Sequence, residues 1–130
     1  DDLLILSAGT MSGAALEAAE KLFWQGIKAA GIDPRYIKPL DRELILHWSK
    51  KCQRVMTLED GVLSGGFGSA VMELLQSSGI NIPVKCLGVD DRFVEQGLRK
   101  VMLAKLGLDA KGIFEAALAF TAGKAVERSL

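Results

Sequence analysis

Residues that build metal centres and covalent scaffolds are scarce in this chain of 130 residues. It contains two cysteines, Cys52 and Cys86, and a single histidine, His47. Two cysteines so far apart exclude a disulfide-rich scaffold and the CxxC redox motif, so we expect both to be reduced and to pack as small apolar side chains. One histidine argues against a histidine-rich zinc site and leaves any Ser-His-Asp triad dependent on one residue.

A net charge and a long apolar run are also missing. Sixteen Lys and Arg residues balance 16 Asp and Glu residues, so electrostatics give no reason to expect a nucleic-acid or membrane partner. No apolar run approaches the roughly 20 residues that span a bilayer. The start at Asp1 lacks an initiator methionine and the basic and apolar regions of a signal peptide. We therefore expect a cytoplasmic protein, or a plastid one in a plant, whose chain begins partway through a longer polypeptide.

Strand-like and helix-like segments alternate along the chain. Apolar and β-branched runs predict strands at residues 3–6, 27–33, 54–58 and 82–87. Helical periodicity predicts helices at residues 11–25, 41–50, 66–79, 98–106 and 109–120. This βαβ alternation predicts one α/β domain over residues 1–130, a three-layer sandwich with a mainly parallel sheet and helices on both faces.

Individual residues mark the ends of these elements. Thr10 or Ser12 is expected to cap the first helix, Gly26 to end it, and Asp41 to cap the second helix. Residues 28–32 have poor strand propensity and are predicted as a strand because the surrounding alternation requires one.

A glycine-rich loop follows the third predicted strand and leads into a helix. Its glycines and its first hydroxyl residue are Gly61, Gly65, Gly66, Gly68 and Ser69. Backbone N–H groups at a helix start can hold a phosphate, so an anion site is one interpretation. The known motifs fit poorly, because Phe67 stands where a P-loop has lysine and Val71 where a dinucleotide fingerprint has its third glycine. We favour a structural loop that uses positive φ or close helix-strand packing.

The acidic pair Glu59 and Asp60 stands at the end of the third predicted strand. Adjacent strand residues point to opposite sides, so the two carboxylates are not expected to share a proton in acid/base catalysis. A cap on the following turn, or an ion pair with Arg or Lys, is the favoured role. His47 has no activating neighbour and is expected on a surface. No catalytic, cofactor-binding or metal-binding residue is predicted in this chain.

A second loop, residues 35–41, follows the second predicted strand. Both this loop and the acidic pair leave the carboxyl ends of parallel strands, so they should emerge at one edge of the sheet. We predict that they form an interdomain or dimer surface. Its residues are Arg35, Tyr36, Lys38, Asp41, Glu59 and Asp60.

Two of these segments resemble the C-terminal domain of transketolase-like thiamine-diphosphate enzymes. They are RYIKPLD at residues 35–41 and TLEDGVLSGGFGSAV at residues 57–71. The segments LGVDDRFVEQG at residues 87–97 and MLAKLGLDAKGI at residues 102–113 resemble the tail of the 1-deoxy-D-xylulose-5-phosphate synthases. Asp90 departs from the proline that is usual in that family, and the family's short antiparallel leading strand would precede Asp1.

The resemblance implies a transferase that joins pyruvate to glyceraldehyde 3-phosphate with loss of CO2, in isoprenoid, thiamine and pyridoxal biosynthesis. Such enzymes use thiamine diphosphate and Mg2+, which the other domains hold. None of those cofactor residues maps onto this chain, so the resemblance implies an inactive domain that supports the middle domain and a homodimer. The equivalent domain of a transketolase or of a 2-oxo-acid dehydrogenase beta subunit is one alternative. A stand-alone anion- or nucleotide-binding module is another.

Overall fold

The central strand of the sheet is buried on both faces, as its unbroken apolar sequence requires. In this strand, β1 (Leu3–Ser7), no residue is more than 3% exposed. The computed structural model describes residues 1–8, 11–32, 41–62, 66–89 and 107–129. The other elements in these ranges are α1 (Ser12–Trp24), β2 (Ala29–Ile32), α2 (Arg42–Ser49), β3 (Val55–Val62), α3 (Phe67–Ser77), β4 (Val84–Val89) and α4 (Ala110–Ser129).

Within the described ranges the strands form a parallel sheet in the order β2-β1-β3-β4. Leu4 of β1 lies opposite Ala30 of β2 and Val55 of β3, and Val55 lies opposite Val84 of β4. The predicted α/β architecture is therefore confirmed, including the weak second strand, which β1 holds by parallel pairing. The chain moves outwards from β1 to β2 on one side and from β3 to β4 on the other, so the strand order reverses between β1 and β3.

Two apolar cores cover the two faces of the sheet, because alternate residues of each strand point to opposite sides. The core under α1 and α4 contains Leu3, Ile5, Met11, Leu22, Leu58, Leu108 and Ile113. The core under α2 and α3 contains Leu4, Leu6, Ile45, Val55, Phe67, Val71 and Leu74. The structure thus has the three predicted layers, and apolar burial at about 25 cal/mol per Å² is its main source of stability.

Glycine ends helices α1 and α3 in the same way. Gly26 and Gly79 have φ values of +80° and +74°, which other residues rarely adopt. After α1, the N–H groups of Gly26 and Ile27 donate to the carbonyls of Phe23 and Leu22, each at 3.0 Å. This is the Schellman motif, which satisfies carbonyls that the helix leaves unpaired. The predicted stop at Gly26 is confirmed.

The predicted N-caps are right for α2 and wrong for α1. Asp41 accepts a hydrogen bond at Oδ1 from the N–H of Leu44 at 3.1 Å. At α1 the N-cap is Met11, which makes no side-chain capping bond, and Ser12 is already helical. Met11 is buried, so apolar packing rather than a hydroxyl fixes this helix start. Thr10, the other predicted cap, lies outside the described residues.

Several predicted boundaries also differ from the structure. The third strand, predicted to end at residue 58, continues to Val62. The fourth strand begins at Val84 rather than residue 82, because Pro83 has no N–H to donate to a ladder. The last helix continues to Ser129 instead of ending at residue 120. The predicted helix at residues 98–106 lies outside the described residues.

The sequence GLDAKGI at residues 107–113 forms the turn before α4 and the first turn of that helix. Asp109 is an N-cap, since its Oδ1 accepts from the N–H of Gly112 at 2.9 Å and its carbonyl accepts from the N–H of Ile113 at 2.9 Å. Leu108 and Ile113, on either side of this cap, are both buried in one core, as in a hydrophobic staple. Gly107 has a φ of +73°, and a Cβ on Gly112 would lie 2.5 Å from the Gly107 carbonyl oxygen. The described part of the segments that resemble the synthase tail, residues 107–113, is therefore a helix-start motif.

We expect Asp109→Ala to lower the free energy of unfolding by about 0.5–2 kcal/mol, because the N-cap acceptor is lost. Asp109→Asn keeps an acceptor oxygen at the same position and should cost much less. Urea unfolding of the 130-residue chain, followed by circular dichroism, measures both changes. Equal losses in the two variants would mean that Asp109 acts through its charge and not as a cap.

Candidate functional site

The carboxyl edge of the sheet is the place where an open α/β sheet presents its site, beside the point at which the strand order reverses. Here that point lies between the ends of β1 and β3, and helices α1 and α3 begin beside it. We call this region the switch-point edge; its residues are Ser7, Met11, Ser12, Glu59, Gly66, Phe67 and Gly68. Two helix N-termini give it the positive backbone field that attracts anions.

A carboxylate of the chain itself occupies the N-terminus of α3. Glu59 is only 4% exposed, and its Oε2 accepts a hydrogen bond from the backbone N–H of Gly68 at 2.7 Å. The N-cap residue, Gly66, has no side chain to cap the helix, and the first turn of α3 has no acidic residue. Glu59 therefore caps α3 from the neighbouring strand, with a short bond of the charge-assisted kind. Glu59 thus occupies the N–H of Gly68, one of the donors that a phosphate at this helix start would use.

Glu59 lies on the face of β3 that α3 covers, because Val55 and Thr57, four and two residues earlier, face the same helix. Leu58 pairs with Leu87 of β4 in regular register, and the pairing resumes at Val62 and Val89 after a register shift. On the other side, the carbonyl of Leu58 accepts from the N–H of Ala8 at 2.9 Å. The sheet thus holds the backbone before and after Glu59.

Gly68 lets α3 approach the sheet closely. A Cβ at this position would lie 2.8 Å from both the Sγ of Cys86 and the Oγ1 of Thr57. Thr57 is fully buried, and in the described residues its Oγ1 has no hydrogen-bond partner. Gly66, with φ of −90° and ψ of −162°, is extended. Close packing, one of the two expected reasons for the glycines, is thus found at Gly68, whereas the other, a positive φ, is found at neither Gly66 nor Gly68. Gly65 lies outside the described residues.

The junction between β1 and α1 is small and mostly apolar. Ser7 is 3% exposed, and its Oγ lies 3.3 Å from the Oγ of Ser12. Met11, at the N-cap of α1, is buried in the core beside them. Among the described residues of this junction, Ser7, Ala8, Met11 and Ser12, none carries a cationic group that could receive a phosphate.

The structure describes only some residues of the predicted interdomain surface. Glu59 does not lie on it, because its carboxylate is buried against α3. Asp41 is exposed and caps α2. Asp60 and Gly61 belong to β3, and the side chain of Asp60 lies outside the described part of the chain. The predicted residues Arg35, Tyr36 and Lys38 also lie outside it.

The two loops of that predicted surface leave the same edge but not adjacent strands. One follows β2 and the other follows β3, with β1 between them. At about 4.8 Å between neighbouring strands, their starting points are roughly 10 Å apart. They can therefore flank one contact without touching each other.

The remaining reactive side chains are dispersed. His47 is exposed and meets Trp48 edge-on, at 5.8 Å between ring centroids. Burial raises the pKa of the Cys52 thiol, whereas half-buried Cys86 lies 3.6 Å from the Sδ of Met72. Among the described residues no group of three His, Cys, Asp or Glu side chains could hold a metal ion. None of the helices in those ranges is long and apolar enough to cross a membrane.

An open groove of about 450 Å³ lies at the opposite edge of the sheet, between the end of α3 and the start of β4. Apolar side chains form most of its wall, and Gln76 and Asn81 supply its polar groups. It has no charged lining residue and does not adjoin Glu59. This groove therefore has none of the groups that acid/base or phosphate chemistry requires.

Comparisons with known proteins agree on one family. The family described as "Transketolase, C-terminal domain" matches residues 1–113. The 1-deoxy-D-xylulose-5-phosphate synthase 1 of Geobacter sulfurreducens is 48% identical over 125 residues, which cover 95% of this chain and 20% of that protein. The synthase of Desulfotalea psychrophila is 49% identical over 119 residues, covering 91% and 18%. The chain thus spans about a fifth of the length of the curated relatives it matches.

Solved structures show the same architecture. A structure titled "Split gene transketolase, inactive beta4 tetramer" superposes with a TM-score of 0.81 at 40% identity, covering 88% of this chain and 37% of that one. The transketolase of Campylobacter jejuni superposes with a TM-score of 0.64 at 16% identity, covering 91% and 17%. The second likeness concerns the fold alone.

We expect Gly68→Ala to destabilise the 130-residue chain by about 1–3 kcal/mol, because the new methyl group collides with Cys86 and Thr57. Gly13→Ala is the matched control: Gly13 is also helical, but nothing lies within 4 Å of its Cβ position. That change should stabilise the chain by about 0.5–1 kcal/mol through helix propensity. Urea unfolding measures both.

A second variant tests the cause of the effect. In Gly68→Ala combined with Cys86→Ala, the Sγ collision is removed, so part of the loss should be recovered relative to the sum of the single changes. Unchanged stability in Gly68→Ala would contradict the requirement for close packing at this position.

Proposed function

Because the chain belongs to the transketolase C-terminal domain family, we propose that residues 1–130 form the C-terminal domain of a 1-deoxy-D-xylulose-5-phosphate synthase. The identity of 46–49% to three such synthases, over 90–95% of the chain, is the observation that carries this proposal. The complete enzyme would join pyruvate to glyceraldehyde 3-phosphate with release of CO2, and so supply isoprenoid biosynthesis. It would act in the cytoplasm, or in the plastid of a plant, as a homodimer.

The role of this domain within the enzyme would be structural. The family implies thiamine diphosphate and Mg2+, and the described residues do not fit either group. Their acidic side chains form no metal-binding cluster, and Glu59 already takes the helix N-terminus that a diphosphate would need. Thiamine diphosphate and Mg2+ would therefore bind to other domains of the enzyme, and this domain would contact those domains and the second subunit.

The switch-point edge supports the same view. A stand-alone anion or nucleotide module would leave the N–H groups at the start of α3 available to its ligand. Here Gly68 donates to Glu59, and a second anion at that helix start would meet the repulsion of a buried carboxylate. The domain thus uses the helix terminus to join α3 to β3 rather than to bind a ligand.

A transketolase is the second candidate for the complete enzyme. The observation in its favour is the 40% identity to a structure titled as a split-gene transketolase. Against it stand the transketolases of C. jejuni and Pichia stipitis, which are only 16% and 21% identical. The donor substrate separates the two, because the synthase uses pyruvate and releases CO2, whereas a transketolase uses a ketose phosphate.

We predict that the 130-residue chain alone does not bind thiamine diphosphate tighter than about 1 mM, because none of its described groups fits the diphosphate or the metal. Titration calorimetry with thiamine diphosphate and Mg2+ measures this. The complete polypeptide should bind the cofactor and release CO2 from pyruvate only when glyceraldehyde 3-phosphate is present. Sub-millimolar binding by the chain alone would overturn the structural role, and activity with a ketose phosphate in place of pyruvate would favour the transketolase.

A further inference from the structure

Two sulfur atoms meet where α3 packs on β4. The Sγ of Cys86, in β4, donates to the Sδ of Met72, in α3, at 3.6 Å. Met72 is 49% exposed and Cys86 is half-buried, so the two side chains lie at the border between the core and solvent. We call Cys86 and Met72 the sulfur pair. Thiolate and thioether sulfurs are the soft ligands that proteins use for Cu(I), so the sulfur pair has the donors of a soft-metal site.

The close approach of α3 to the sheet brings the two sulfurs together. Met72 follows Gly68 by one helical turn, so the two residues lie on the same side of α3. A Cβ at Gly68 would lie 2.8 Å from the Sγ of Cys86, and its absence lets the helix come close to the strand. The hydrogen bond from Gly68 to Glu59 holds the helix there. The fold therefore sets the separation of the two backbone segments that carry the sulfur pair.

A buried hydroxyl lies beside the sulfur pair. Thr57 is opposite Cys86 in the register of β3 and β4, and it is fully buried. The Oγ1 of Thr57 and the Sγ of Cys86 both lie 2.8 Å from the Cβ position of Gly68, so hydroxyl and thiol face one space. Within the described ranges this Oγ1 has no hydrogen-bond partner. A thiolate is a stronger acceptor than a thiol, so this donor suits a Cys86 that has lost its proton to a metal.

From these three groups we infer that the sulfur pair binds a soft monovalent cation of the Cu(I) class. The ligands are the thiolate of Cys86 and the thioether of Met72, and the hydroxyl of Thr57 donates to the thiolate. On binding, the thiol releases its proton to solvent and its sulfur bonds the cation, with no change of oxidation state. With metal–sulfur bonds of about 2.3 Å, sulfurs 3.6 Å apart give an S–metal–S angle of about 100°. The flexible, exposed side chain of Met72 can widen this angle.

The charge of the site favours a monovalent cation. One thiolate and one monovalent cation form a neutral unit, whereas a divalent cation would keep a positive charge beside an apolar core. That core is close, because Val84, two residues before Cys86 on the same face of β4, packs against the residues under α2 and α3. Structural Zn2+ sites also need four ligands, and the described residues hold no group of three His, Cys, Asp or Glu side chains that could supply them.

The other cysteine is not an equivalent ligand. Cys52 is buried, and burial raises the pKa of its thiol, which disfavours the thiolate that a metal binds. The site is therefore specific to Cys86. It does not depend on the proposed function of the complete enzyme, because it uses residues of this chain alone.

Competition for Cu(I) with the chelator bicinchoninate, in the absence of oxygen, tests the inference. The 130-residue chain should take one equivalent of Cu(I) from the chelator, and Cys86→Ala should abolish this uptake. Met72→Leu keeps an apolar side chain of similar volume at an exposed position, so the fold should be retained, as circular dichroism can verify. It should weaken the affinity at least about tenfold, because one of two ligands is lost. Full affinity in Met72→Leu would mean an adventitious ion only, on a single thiol, and would overturn the inference.

Matched variants and a second readout complete the design. Cys52→Ala removes the other thiol and should leave the affinity unchanged. Thr57→Val replaces the hydroxyl with a methyl group and should weaken binding about tenfold, as the loss of a group bonded to a metal ligand commonly does. Cu(I) should raise the Tm of the chain by several degrees, because it joins β4 to α3, and Zn2+ should not. Loss of uptake in Cys52→Ala, full affinity in Thr57→Val, or an equal rise in Tm with Zn2+ would contradict the inference.

Discussion

The hydrogen bond from the backbone N–H of Gly68 to the carboxylate of Glu59, 2.7 Å long, joins the central strand β3 to the start of α3. Its geometry sets several other features of the domain. Glu59 is buried within the segment of β3 where the pairing with β4 shifts register, between Leu58 and Val62. Because Gly68 is drawn to the sheet, its position cannot hold a Cβ without a collision with Cys86. The core that contains Phe67 and Val71 then forms under the helix so placed.

This bond also uses a donor that an anionic ligand would need. Helix N-termini at the switch point of a parallel sheet are the usual place for an anionic ligand in this architecture. In this chain the anion at the start of α3 is the carboxylate of Glu59 in β3, which is nearly inaccessible to solvent. The favourable field of α3 therefore contributes to stability, which suits a domain whose proposed task is to support the catalytic domains of a larger enzyme.

The fold was predictable from the sequence because three strands are marked by their own patterns and the alternation with helices implied the weak second strand. The run Leu3-Leu4-Ile5-Leu6 requires two covered faces, which implies a parallel sheet with helices on both sides. Asp41 was recognisable as an N-cap because cap chemistry is local. The start of α1 was predicted wrongly because Met11 caps no N–H and is held by the core, which is a tertiary effect.

The site was less predictable, for a different physical reason. The failed phosphate motifs predicted a structural glycine loop, and the close packing at Gly68 supports that prediction. Alternation along β3 places Glu59 on the same face as Val55 and Thr57, but it cannot show that the N-terminus of α3 lies within reach on that face. The sequence predicted that Glu59 could cap a turn, but it also predicted that Glu59 lies on the interdomain or dimer surface. Residues 107–113 belong to a segment by which the sequence indicated the family. Asp109 and Gly107 show that these residues form the start of α4.

Amide hydrogen exchange at Gly68 tests the account most directly. If Glu59 holds this N–H in the native state, the Gly68 amide should exchange slowly in the 130-residue chain, and Glu59→Ala should accelerate it by about tenfold or more. Ala70, whose N–H donates to the Gly66 carbonyl in the same helical turn, gives the comparison within the helix. A Gly68 amide that exchanges at the rate of an unprotected peptide, or that is unaffected by the loss of Glu59, would contradict the claim that this carboxylate fills the N-terminus of α3.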